Sequence, residues 1–147
     1  MQSGLPQELA TPGETEVVTL HAQGAQIYEC RAGDRGVLAW AAREPIATLL
    51  LGGKTIGRHY AGPNWEHIDG SAVAAKLAAR VAAPDASDIP WLKLDVTERR
   101  GRGVLSDVTT ILRINTKGGV APAGACDKAG ALISVAYSTD YVFLAKR

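Results

Sequence analysis

Short runs in which apolar and polar side chains take turns are spaced along nearly all of this chain, parted by Gly, Pro, Asp and Ser. A period of two residues predicts half-buried β-strands. Thr15 to His21 and Ala25 to Cys30 are the first two predicted strands, separated at Gln23-Gly24. Val37 to Ala41 alternates small and large residues about Trp40, which assigns that Trp to the core. Leu49 to Leu51 and Lys54 to Tyr60 flank Gly52-Gly53, a hairpin-turn dipeptide. Trp91 to Glu98 follows Pro90, whose missing N–H confines it to a strand start or a sheet edge. Val108 to Thr116 is dense in β-branched residues, which suit a pleated surface. Leu132 to Tyr137 and Tyr141 to Ala145 read as a closing pair around Ser138-Thr139-Asp140.

One segment fits two periods. Ser71 to Ala83 is Ala-rich, and Val73, Leu77 and Val81 match helical spacing. The same segment alternates strictly, with Val73, Ala75, Leu77, Ala79 and Val81 opposite Lys76 and Arg80. Asp69-Gly70 just before it is a hairpin dipeptide and its neighbours read as strands, so a strand is predicted. Residues 1–14, with Gly4, Pro6, Pro12 and Gly13, read as an extended N-terminal arm. Residues 15–147 then form a single all-β domain, a mainly antiparallel β-sandwich or barrel.

At 147 residues the chain is long enough for one core, but the core is alanine-heavy and holds a single Phe. A formal charge of +1 supplies no electrostatic footprint for nucleic acid, and no apolar run reaches the length of a bilayer span. Cys30 and Cys126 lie in no zinc-ligand or Cys-x-x-Cys spacing. They are either two buried thiols or one disulfide. A thin core gains most from a long crosslink, which favours the disulfide and an oxidising compartment. No basic-then-apolar leader opens the chain, so a secreted or periplasmic protein with its signal peptide removed is expected.

Candidate chemistry concentrates in His59-Tyr60-Ala61-Gly62-Pro63-Asn64-Trp65-Glu66-His67-Ile68-Asp69-Gly70-Ser71. Aromatic and ionisable side chains around a structure-ending Gly-Pro suit a site better than a core. His59, Tyr60, Asn64, Trp65, His67 and Asp69 form the candidate ligand-binding set, with Trp65 expected at the surface as a flat platform for a small molecule or glycan. His59, His67 and Asp69 are of types that ligate zinc or copper, although their spacing matches no established signature. Glu66 and Asp69 are the nearest carboxylate pair for glycoside chemistry. Ser71 lacks a nucleophile elbow. Arg99-Arg100-Gly101-Arg102 reads as a solvated turn.

Several motifs occur in a definite order: Gly24 to Cys30, Trp40, His59 to Trp65 with Asp69-Gly70-Ser71, Ile89-Pro90-Trp91-Leu92, Arg113 to Gly119, Cys126-Asp127, and Tyr137 to Tyr141. Together these resemble the uncharacterised family called domain of unknown function 3455, from residue 15 onward. The resemblance implies a secreted protein, in line with a Cys30–Cys126 disulfide, and carries no activity. Some fungal members bear the name malate dehydrogenase. Here the nearest dinucleotide-type motif, Gly101-Arg102-Gly103-Val104-Leu105-Ser106, ends in Ser and meets a β-branched run where a helix is needed, so that activity is set aside. The expected function is an exported, non-catalytic binding or envelope-associated domain. The alternatives are a metal-dependent enzyme using His59 and His67, and a structural or stress-related surface protein without a small ligand.

Overall fold

A computed structural model describes residues 4–147. The strands are β1 (Glu14–Ala32), β2 (Leu38–Leu51), β3 (Lys54–Tyr60), β4 (Asn64–His67), β5 (Ala72–Val81), β6 (Trp91–Arg100), β7 (Thr110–Gly118) and β8 (Leu132–Lys146). Each pairs antiparallel with the next, and β8 returns to β1, so the sheet closes into an eight-stranded barrel with no free edge. The all-β, antiparallel expectation is met, in its barrel form. Ser71 to Ala83 is strand β5 where alternation placed it.

Two predicted breaks are not breaks. Gln23-Gly24 lies inside the 19-residue β1, and Ser138-Thr139-Asp140 lies inside the 15-residue β8. These two stretches pair with one another, Gln23 opposite Ser138 and Ala22 opposite Thr139. Gln23, Ser138 and Asp140 on the outward face, together with the buried Thr139, which donates to the Ile114 carbonyl at 2.6 Å, imitate a turn in the sequence. Gly24 is there for space: a Cβ on it would stand 2.0 Å from the Ile46 carbonyl oxygen. Bulges between Glu16 and Val18 and between Ile27 and Tyr28 let β1 bend around the barrel.

The core has two parts. Leu20, Leu49, Trp65, Val73, Ile111, Tyr141 and Phe143 belong to the cluster that fills the barrel. Leu112, Ile114, Val142 and Leu144 point the other way, from alternate positions of β7 and β8, into a second cluster with Leu9. These two strands are buried on both faces, which is why they read as nearly continuous apolar runs. The N-terminal arm is more than an extended lead-in: Gln7–Leu9 form one 3-10 turn that lays the fully buried Leu9 on the outer cluster. Burying such a side chain contributes roughly 1.5–3 kcal/mol.

Up-and-down topology sends the connections alternately to two ends. One end carries the connections 33–37, 61–63, 82–90 and 119–131; the other carries 52–53, 68–71 and 101–109. The second end is plugged, because Leu105 and Val108 of connection 101–109 are fully buried in the barrel core. At the first end the Cys30–Cys126 disulfide, with Cα atoms 6.0 Å apart, ties the longest connection to β1. Backbone bonds from Cys126 N–H to the Leu38 carbonyl and from Gly130 N–H to the Cys30 carbonyl hold the same connection in place.

Candidate functional site

One row of paired residues crosses six strands on the inner wall: Tyr137, Gly24, Ala47, His59, Trp65 and Val73. Gly24 and Ala47 are small, and the space they leave is taken by the large rings beside them. His59 stacks on Trp65 with ring centroids 4.4 Å apart, and both meet the Tyr141 ring edge-on. Trp65 and His59 are only 1% and 3% exposed. The surface position expected for Trp65 is therefore corrected: in a four-residue strand that begins at Asn64, its register points it inward beside His59. Trp40 departs in the opposite sense. It is half-buried near the start of β2, opposite the disulfide residue Cys30.

Between these rings and the first end of the barrel lies a cavity of about 330 Å³. Trp65, His59, Tyr141, Leu92, Leu94 and Arg113 line its inner part, and residues 42–45 and 61–63 form its rim. The rim loop turns through the cis peptide Gly62-Pro63, and the Asn64 side chain braces it by donating to the Ala61 carbonyl at 2.8 Å.

The polar groups here have defined states. His59 Nδ1 lies 2.8 Å from the Asn64 carbonyl oxygen, which can only accept, so Nδ1 carries the proton and Nε2 is the bare nitrogen in the neutral ring. Burial pulls the His59 pKa down to about 4; the Asn64 carbonyl acts against this and the positive charge of Arg113 adds to it. Arg113 donates through Nε and Nη2 to the Pro90 carbonyl at 3.0 and 2.8 Å. No carboxylate forms an ion pair with it among the described residues. Tyr137 and Tyr141 bring their hydroxyls to 3.3 Å, and burial raises the pKa of both, so they stay neutral. The Trp65 Nε1–H is buried without a hydrogen-bond partner.

A family model described as Protein of unknown function (DUF3455) matches residues 11–53 and 51–145, nearly the whole chain. The chain belongs to the DUF3455 family. No curated protein and no solved structure matches it. The barrel geometry is thus the main guide to what this DUF3455 protein does.

The six residues singled out from the sequence of this DUF3455 chain divide three ways. His59 and Trp65 line the cavity. Tyr60 faces outward, donating to Glu66 at 2.8 Å beneath the Arg58 guanidinium, and Asn64 braces the rim and accepts from Arg100 at 2.9 Å. His67 and Asp69 sit in the β4–β5 turn at the plugged end. His67 Nδ1 accepts the Asp69 N–H at 3.0 Å. Asp69 accepts from the Ser71 hydroxyl and N–H at 2.6 and 2.9 Å and from the Val104 N–H at 2.8 Å. Burial alone would raise its pKa, but these donors and the nearby His67 hold it at about 2. Asp69 and Ser71 clamp the plug, since the Ser71 hydroxyl also accepts the Leu105 N–H at 3.1 Å.

The metal arrangement does not assemble. Antiparallel pairing sets His59 opposite Trp65 and His67 opposite Gly57, and each imidazole Nδ1 is already engaged. Among the described residues no group of three His, Cys, Asp or Glu is placed to hold a metal ion. Sequence reasoning missed Arg113 and Tyr141. The signal for Arg113 was present: a lone cation between Leu112 and Ile114, in phase with the inward-facing Ile111.

Proposed function

We propose that this protein is an exported, non-catalytic binding barrel that holds one small molecule in the cavity at its first end. The observation that carries the reading is a cavity of about 330 Å³ walled by the Trp65, His59 and Tyr141 rings and by Leu92 and Leu94, with Arg113 among them. Eight strands enclose an interior just large enough for side chains or for one small ligand. Here the volume lies at the lower end of the range for ligand pockets, which favours a small molecule over a glycan chain. Tyr137 and Tyr141 stay neutral, and His59 is fixed by Asn64, so the groups are arranged to orient a ligand more than to move protons through a reaction. The disulfide supports export, and among the described residues no helix is long and apolar enough to cross a membrane.

The test is a nitrogen-15 NMR titration with small aryl compounds, neutral and anionic, and monosaccharides, following the indole N–H resonances. Trp65→Phe identifies the resonance of Trp65. A saturable shift of that resonance by at least one compound, abolished by Ala42→Phe at the cavity rim, is the expected result. A Trp65 resonance that no compound moves, or that Ala42→Phe leaves responsive, rules out the cavity as the site.

A further inference from the structure

Resting on the reading of the cavity as a ligand site, we infer that its ligand is a small organic carboxylate whose anionic end meets Arg113 and whose apolar body lies along Trp65, Leu92 and Leu94. Three independent placements point there. First, Leu92, Arg113 and Tyr141 are paired across β6, β7 and β8 and form one row that lines the cavity, while Arg80, the β5 partner of Leu92, is exposed. That row carries one cation and no acid. Arg80 stands close enough for its charge to act on Arg113. Second, the one carboxylate on the rim, Glu44, is already 3.3 Å from Arg43 Nε, and Arg43 is itself a rim residue. With His59 neutral, the lining Arg43, Glu44 and Arg113 sum to one net positive charge.

Third, the neutral groups suit an anion. Arg113 holds the Pro90 carbonyl through its Nε and Nη2, which fixes the guanidinium plane before any ligand arrives. The Tyr141 hydroxyl, 3.3 Å from that of Tyr137, is a further polar group on the same wall. A carboxylate accepts from several donors at once, and such charge-assisted bonds are about twice as strong as neutral ones. Arg113 is a half-buried cation without an anionic partner, and its burial already pulls its pKa down. An inorganic anion would satisfy the cation and leave the Leu92, Leu94 and Trp65 surfaces uncovered.

The experiment compares phenylacetate with its neutral isostere phenylacetamide on the intact, disulfide-bonded protein, by calorimetry and by the Trp65 indole resonance. Phenylacetate should bind more tightly by about ten- to hundredfold, the worth of a charge-assisted pair over a neutral contact. Arg113→Gln should remove that preference, and Arg113→Lys should restore part of it. The wild-type comparison needs no variant to fold, and inorganic phosphate serves as the control for bare anion binding. If the amide binds as well as the acid, the carboxylate inference is overturned and the cavity remains a ligand site. If neither compound moves the Trp65 resonance, both readings fail together. If phosphate alone competes fully for Arg113, the organic part of the inference is wrong.

Discussion

His59 ties the stability of the barrel to pH, and the size of the effect can be worked out. In the native state its imidazole stays neutral down to a pKa of about 4, while the unfolded chain protonates it near 6.5. Between these values the unfolded state binds the extra proton, so stability falls as pH falls through that window and recovers above 6.5. The full difference corresponds to about 3.4 kcal/mol, and about 2 kcal/mol of it is already lost at pH 5. Asp69 acts lower on the scale, because its native pKa of about 2 lies below an ordinary carboxylate value of 3.8, and its stabilisation disappears only as pH falls through that range. The assay is urea unfolding at intervals from pH 4 to 7 for the wild type and His59→Phe. Phe retains a ring against Trp65 and leaves the Asn64 carbonyl without its donor, a pH-independent cost of about 1–3 kcal/mol. The difference between the two proteins should shrink as pH falls, by about 2 kcal/mol between pH 7 and 5. Parallel stability curves would refute the assignment of a buried, neutral His59.

Three further outcomes follow from the same structure. Replacing Cys30 and Cys126 by Ser should lower unfolding free energy by up to about 4.7 kcal/mol in urea, from the 96-residue separation they bridge, and should speed hydrogen exchange in connection 119–131. Asp69→Asn removes the charge that gathers Ser71 and Val104, and should cost about 1–3 kcal/mol and expose the Leu105 amide to exchange while leaving the cavity intact. Gly24→Ala drives a Cβ into the Ile46 carbonyl and should destabilise the barrel by about 3 kcal/mol or more by thermal melting; a near-neutral result would mean that β1 and β2 are not so closely apposed there.

The candidate site was only half legible. His59 and Trp65 drew notice as a histidine and a tryptophan beside Gly62-Pro63, and they do line the cavity. Their sequence neighbours Tyr60, Asn64, His67 and Asp69 have other partners, because adjacent strand residues face opposite sides of the wall and a turn carries the last of them to the plugged end. Tyr141 was invisible as a site residue, since it sits inside an apolar run that reads as core, whereas Arg113 left a signal as a lone cation between Leu112 and Ile114.

By itself the sequence determined much of the local architecture: alternation placed most of the strands, though not β4 or the middle of β2, Gly52-Gly53 marked a turn, and even the Ala-rich segment after Asp69-Gly70 was readable as strand. Alternation is a property of neighbouring residues, so it survives without knowledge of the rest of the chain. Only the tertiary structure decided that the long β1 and β8 run through their polar centres, that the sheet closes, and that Arg113 lies across the barrel from His59. Register and closure are set by pairings between residues far apart in sequence, and those pairings determine which inward-facing side chains share one cavity.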